Sequence, residues 1–227
     1  MTAAKRLRWC CAVLLCVLAW PAWCQAPIPG YPDRFDAYDP REVALLPPYC
    51  MYSQVFRGKV PGGGDPDQIE RWKTILGETY LHIHHYCWGL MKTNRGILLA
   101  RSSQSREFYL ADSIGEFDYV IDRSPRDFVL LPEILTKKGE NLVLLGKGPV
   151  AVLMFEQAID AKPDYWPPYA RLGDYYAQVG ERAKAIETIE RGLHNAPDTP
   201  ALVRRRSELL AAPGGRDGTS TKQTAKP

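Results

Sequence analysis

The sequence predicts an all-α protein: a solenoid of helix hairpins that follows an extended, proline-rich N-terminal arm. Three observations support this fold class. Apolar residues recur at helical spacing from about residue 66 to residue 212. In the C-terminal half, one pattern of small, apolar and proline residues occurs twice, with the same spacing between its positions in both copies. Between residues 27 and 65, proline, tyrosine and glycine replace the helical pattern.

Residues 1–26 have the pattern of a secretory signal peptide. Three basic residues open the chain: Lys5, Arg6 and Arg8. An apolar run then extends to about Trp23, and small residues follow it. The run is shorter than the roughly 18 apolar residues of a membrane span, and Pro21 interrupts it. We therefore expect export to the periplasm.

The sequence allows more than one way of processing this leader. Cleavage after Ala26 is the preferred prediction, and cleavage after Cys24 is the alternative. Lipid attachment at Cys24 is disfavoured, because Trp23 is bulky where such signals need a small residue. An uncleaved leader would anchor the protein in the inner membrane. No other segment is predicted to cross a membrane, so no span is expected after cleavage.

Removal of the leader changes the balance of charges and cysteines. The chain has 29 basic and 26 acidic residues, and without the leader's three basic residues 26 of each remain. A net charge of zero predicts no nucleic-acid partner. Four of the six cysteines lie in the leader, which leaves Cys50 and Cys87. Two cysteines in an exported chain predict one disulfide, and two buried free thiols are the alternative.

The segment from residue 27 to residue 65 is predicted to be an extended arm. It holds seven prolines and the run Gly62–Gly64. The glycines indicate a flexible joint, and Asp65 after them has the chemistry of a helix N-cap. A disulfide between Cys50 and Cys87 would pin this arm to the helical part of the chain.

Residues 132–199 contain two copies of one helix-hairpin pattern. The second copy has the following positions: Tyr169, Leu172, Gly173, Tyr176, Gly180, Ala185, Ile189, Gly192 and Pro197. The first copy has Gly139, Leu142, Gly146, Ala151, Phe155, Ala158 and Pro163. Small residues suit places where helices cross closely, and the prolines end each second helix. This pattern resembles the tetratricopeptide-repeat family, whose first helix carries W-x2-L-G-x2-Y, with Tyr169 here in place of the tryptophan.

The resemblance implies a right-handed solenoid, and such arrays need about three hairpins to bury a continuous core. Residues 66–131 are predicted to supply the further units as a divergent helical region. Within it we expect helices over residues 69–76, 79–92 and 108–121, the first two as a pair. Residues 200–212 are predicted to form a capping helix, and the Gly, Ser, Thr and Lys tail at 213–227 to be disordered.

The resemblance also implies a binding groove, because in this family the first helices of the repeats line a concave surface that holds a partner's peptide or helix. The residues expected to face it are Glu133, Thr136, Glu140, Ala170, Asp174, Ala177 and Gln178. Family members that bind chaperones grip a terminal carboxylate with Lys and Asn, whereas this chain has Glu140 and Asp174 at the equivalent places. An acidic, partly apolar groove predicts a basic or neutral peptide partner. The primary hypothesis is a periplasmic interaction scaffold, an accessory of envelope assembly or secretion.

A histidine cluster supports a second hypothesis, an exported metal-handling protein. On a helix, Glu78, His82 and His85 would share one stripe with His84 beside it, and such a set can hold zinc or copper. An outward-facing polar stripe is the alternative, and because no fourth ligand is evident we predict no cofactor. The sequence has no serine-hydrolase, metalloprotease, phosphate-loop or C-x-x-C motif, so we predict no enzymatic activity.

Overall fold

The structure, a computed structural model, describes residues 38–211, and over this range it is helical and contains no strand. The α-helices are α1 (Pro40–Val43), α2 (Pro66–Leu76), α3 (Ile83–Asn94), α4 (Ser103–Ile121), α5 (Leu131–Leu144), α6 (Gly148–Ala161), α7 (Pro167–Gln178), α8 (Arg182–Asn195) and α9 (Pro200–Ala211). Two 3-10 segments, Pro48–Tyr52 and Gly77–Leu81, and a π-helical turn, Arg95–Leu99, complete the set. The predicted leader and the predicted tail lie outside the described residues. None of the helices in this range is both long and apolar enough to cross a membrane.

The helices stack as hairpins. Helix α3 packs on α4, α5 on α6 and α7 on α8, and α9 covers α8. Because short connections join the two helices of each hairpin, the partners run antiparallel. The first helices also contact one another, α5 with α7 and α7 with α9, whereas α6 and α8 make no comparable contact. Helices α5, α7 and α9 therefore form the inner row of the stack, and the predicted all-α helix-hairpin solenoid is confirmed.

Small residues allow the close crossings that the repeat pattern predicts. Gly173 faces Ile189 across the α7–α8 hairpin, where an added Cβ would lie 2.7 Å from Ile189 Cδ1. Gly139 faces Phe155 in the same way across α5–α6. Since real Cβ atoms essentially never approach so closely, larger residues at these two positions would push the helices apart.

The region before the repeats pairs differently from the prediction. Gly77, with φ of +56°, ends α2, and the next residues form a 3-10 segment that packs against α2. Helix α3 therefore begins only at Ile83, and its hairpin partner is α4. The predicted pairing of residues 69–76 with 79–92 is wrong. Helix α4 begins earlier than predicted, at Ser103, because Ser102 and Ser105 cap each other reciprocally.

The prediction of an extended arm is wrong for residues 38–65. Helix α1 and the 3-10 segment Pro48–Tyr52 each begin with a proline, whose fixed φ suits the first helical position. The side chains of Cys50 and Phe56 are fully buried in the core that they share with α3. The predicted disulfide joins Cys50 to Cys87 of α3. Buried apolar residues among the prolines thus fold this segment onto the first hairpin.

A buried polar contact joins the first hairpin to the second. Asn141 of α5 is fully buried, and its side-chain amide donates to Thr93 Oγ1 of α3 at 2.6 Å and to Ser113 Oγ of α4 at 2.7 Å. Thr93 and Ser113 in turn donate to backbone carbonyls of their own helices. One side chain therefore fixes the position of three helices relative to one another.

Candidate binding surface

The predicted groove residues do not all reach the surface. Thr136 is 2% exposed and donates its hydroxyl to the Pro132 carbonyl, and Ala170 is 1% exposed. These two predictions are corrected, since both residues lie on the buried faces of α5 and α7. Ala177 and Gln178 lie at the end of α7, and both are exposed.

Glu133 serves a different structural role from the one expected. It lies at the start of α5, and its carboxylate accepts a hydrogen bond from Tyr86 Oη of α3 at 2.8 Å. Burial, followed by the charge of this carboxylate, raises the pKa of Tyr165 just before α7. Burial also raises the pKa of Tyr86. Glu133 therefore joins neighbouring units of the stack and keeps only part of its side chain at the surface.

Charged residues form a ladder of ion pairs along the inner row. Glu140 of α5 accepts from Arg171 Nε of α7 at 2.6 Å and pairs with Lys137 at 2.9 Å. One repeat later, Asp174 of α7 accepts from Arg205 of α9 at 2.8 and 3.0 Å. Two of the three acids of the predicted groove, Glu140 and Asp174, are thus paired with basic residues, and the third, Glu133, accepts from Tyr86. The prediction of an acidic groove is wrong.

The two arginines of this ladder were missed by the sequence analysis, although the sequence contains the signal. Glu140 and Asp174 are one repeat period apart, as are Arg171 and Arg205, so each acid meets the arginine on the first helix of the next unit. The same period that identifies the hairpins therefore repeats the ion pair.

A concave pocket of about 270 Å³ lies between three residues of the ladder, Glu140, Arg171 and Asp174, and the ends of α5 and α7. It brings together three predicted groove residues, Glu140, Asp174 and Gln178. Its remaining lining is Val143, Leu144, Phe155, Arg171 and Tyr175. The surface thus has apolar walls beside charges that already have partners.

The histidine cluster does not form the predicted stripe. Because α3 begins at Ile83, Glu78 lies in the preceding 3-10 segment and His82 at the boundary, so neither continues the helical face of His85. The His85 ring instead stacks on Tyr119 at 3.8 Å, and its Nδ1 lies 2.6 Å from Glu116 Oε2 of α4. Within residues 38–211 no group of three or more His, Cys, Asp or Glu side chains has a geometry suited to a metal ion.

His84 occupies an apolar position in this cluster. Its Nδ1 is buried, and its ring meets Trp88 edge to face. Burial, with a smaller contribution from the neighbouring His85, lowers the pKa of His84 to about 4. The imidazole is therefore neutral near pH 7 and acts as a packing group.

Similar arrangements of helices occur in solved tetratricopeptide-repeat domains. The first such domain of Spaghetti (RPAP3), bound to an HSP90 peptide, has a TM-score of 0.40 and 17% identity, over 54% of this chain and 93% of that chain. The TPR2B domain of yeast Sti1, in complex with pHsp70, has a TM-score of 0.38 and 18% identity, over 53% of this chain and 97% of that one. No protein-family model matches the chain, and no curated protein matches it.

Proposed function

From the tetratricopeptide-repeat fold of this chain, we propose that it is a scaffold whose inner row, formed by α5, α7 and α9, binds a segment of another protein. The pocket lined by Glu140, Leu144, Tyr175 and Gln178 supports this proposal most directly. It combines apolar walls with polar groups at the rim, the composition expected of a protein-binding surface.

The ion-pair ladder determines which chemistry this surface favours. A basic partner would have to compete with Arg171 for Glu140 and with Arg205 for Asp174. An uncharged, partly apolar segment can fill the pocket without breaking either pair. Of the basic or neutral partners expected from the sequence, we therefore propose a neutral one that presents an apolar side chain to Leu144 and Tyr175.

The proposal includes export to the periplasm and a role without catalysis, in the service of envelope assembly or secretion. Support for export comes from the leader-like residues 1–26 and from the Cys50–Cys87 disulfide, which suits an oxidising compartment. Support for a binding role comes from the sequence, which contains none of the catalytic motifs sought.

Site-specific photo-crosslinking in the producing cell tests the binding surface. A photoreactive amino acid at Gln178, which lines the pocket, is expected to give a discrete adduct with another protein. The matched control is Gln157, an exposed glutamine of α6 outside the inner row. Adducts of equal yield from both positions, or an adduct from Gln157 alone, would refute the proposed surface.

A further inference from the structure

The three turns inside the hairpins lie along one edge of the stack, which we name the turn edge. It comprises residues 95–102, 145–147 and 179–181 with the helix ends beside them. An open pocket of about 700 Å³ is lined by both the first turn and Leu144 at the end of α5. Leu144 also lines the 270 Å³ pocket with Gln178, and Arg182 donates to the Leu209 carbonyl near the end of α9. These contacts make the edge continuous from the first hairpin to the last helix.

Exposed apolar side chains are concentrated on the turn edge. Seven of the fifteen large apolar side chains exposed in the described chain lie there: Ile97, Leu98, Leu99, Leu144, Val150, Val179 and Leu210. The first three are consecutive, and Leu98 is 62% exposed. A run of exposed apolar side chains such as Ile97–Leu99 usually marks a site of contact with a partner or a membrane.

The fold holds this apolar turn firmly. Arg95, at its base, is 4% exposed and donates to both carboxylate oxygens of Glu42 at 2.5 and 2.8 Å. Gly96 is buried, and a Cβ there would lie 3.1 Å from Leu110 Cγ. The buried residues Arg95 and Gly96 therefore hold the turn in place and leave Ile97, Leu98 and Leu99 exposed to solvent.

The basic residues of the turn edge differ from those of the inner row. Arg101, Arg106 and Lys147 are exposed, and none of them forms an ion pair with another described residue. The connections on the opposite edge carry four aspartates and three basic residues, listed as Asp122, Arg123, Arg126, Asp127, Lys162, Asp164 and Asp198. The turn edge also carries two acids, Glu107 and Glu181, and Glu181 pairs with Lys184. Basic residues still outnumber acids on the turn edge, whereas acids outnumber basic residues on the opposite edge. An anionic surface would therefore attract the turn edge more than the opposite edge.

We infer that the turn edge docks on the surface of an anionic phospholipid bilayer. The apolar side chains that enter the headgroup boundary come from successive turns and a helix end: Ile97, Leu98, Leu99, Val150, Val179 and Leu210. Leu144 lines the pocket of the inner row and is left to the protein partner. Lys and Arg around exposed apolar residues are the combination that interfacial membrane binding uses. The 700 Å³ pocket is lined by two arginines, Arg101 and Arg106, and one acid, Glu107. Its two positive charges outnumber the one negative charge, so it has the chemistry to receive a lipid phosphate. A protein groove would instead place its apolar residues on facing walls.

Vesicle flotation tests this inference. Protein comprising residues 27–227, which retains every described element, is mixed with vesicles of phosphatidylglycerol and phosphatidylethanolamine or of phosphatidylcholine alone. We expect it to float with the anionic vesicles only and to be released as salt is raised. Leu98→Asp should lower the partition coefficient at least tenfold, and Arg101→Gln with Arg106→Gln should lower it several-fold.

The control is Leu153→Asp on α6, because Leu153 is 59% exposed but lies away from the turn edge. It should float like the unchanged protein. Absence of flotation with anionic vesicles, or flotation that Leu98→Asp leaves unchanged, overturns the inference. If Leu98→Asp removes the Gln178 crosslink while no vesicle binding occurs, the edge contacts a protein and the membrane assignment is wrong. The Gln178 crosslink is scored separately, so failure of one proposal does not imply failure of the other.

Discussion

Asp174 and Arg205 form a two-point salt bridge between α7 and α9, with Nε to Oδ1 at 2.8 Å and Nη2 to Oδ2 at 3.0 Å. Glu140 and Arg171 form the corresponding bridge between α5 and α7. The charges of the inner row therefore join successive first helices. Changes to them are expected to act on stability as well as on partner binding.

Charge reversal at Asp174 should lower stability. In Asp174→Lys, the new ammonium faces both Arg171 and Arg205, and we expect a loss of about 1 kcal/mol in the free energy of unfolding, since the site is half exposed. Adding Arg205→Glu should restore most of that loss in urea unfolding. The control is Glu187→Lys on α8, an exposed position without an ion pair among the described residues. A double variant no more stable than Asp174→Lys would show that the bridge contributes nothing.

Enlargement of Gly173 should loosen the α7–α8 hairpin. Gly173→Leu is expected to cost about 1–3 kcal/mol or more, because its side chain would overlap Ile189. Gly115→Ala is the control, since a Cβ there meets nothing within 4 Å, and it should gain about 0.5–1 kcal/mol by favouring the helix. Thermal unfolding measures both. An unchanged melting temperature in Gly173→Leu would contradict the close crossing.

Loss of the disulfide should destabilise the first hairpin and the segment that packs on it. Thiol labelling of denatured, unreduced protein is expected to find neither Cys50 nor Cys87 free. Cys50→Ala with Cys87→Ala should lower the free energy of unfolding by roughly 4 kcal/mol, the value expected for a closed loop of this length. Reducing agent should destabilise the unchanged protein similarly and leave the double variant unaffected. Two labelled thiols in exported material would refute the pairing.

Stability should fall as the pH is lowered from about 6.5 to about 4. In the unfolded chain His84 binds a proton near pH 6.5, whereas in the folded protein its pKa is about 4, so acid favours the unfolded state over this range. We expect its contribution to be about 1–2 kcal/mol, because the ring is only half-buried. Urea unfolding at pH 7 and pH 5 should show a smaller loss for His84→Phe than for the unchanged protein. His194→Phe, at an exposed histidine, should retain the original loss.

The sequence predicts the repeats well because close packing limits what can occupy them. Gly173 and Ala185 stand where two helices cross, and these small residues recur with the period of the structural unit. The Cys50–Cys87 pairing was also predictable, since the other cysteines lie in the predicted leader. The ion-pair ladder was predictable as well, because Arg171 and Arg205 are separated by the same repeat period.

Other features depend on contacts that periodicity does not encode. The start of α3 is set by the positive φ of Gly77 and by a 3-10 segment whose residues also suit an α-helix. The compact form of residues 38–65 depends on the burial of Phe56 and Cys50 against α3, while their prolines suggested an extended chain. Burial of Thr136 and Ala170 depends on how far each helix is rotated toward its neighbours, which the motif fixes only approximately.

The hydrogen bonds of Asn141 to Thr93 and Ser113 mean that the units of this array are not interchangeable. The second copy has Tyr175 at the corresponding position, so a duplicated α7–α8 hairpin placed beside α3 and α4 would bring a phenol where they require an amide. Thr93 and Ser113 would then lose their shared donor inside the stack. Whole repeats can therefore be added or removed only on the α9 side of this junction. The first two hairpins depend on each other and have to be kept together.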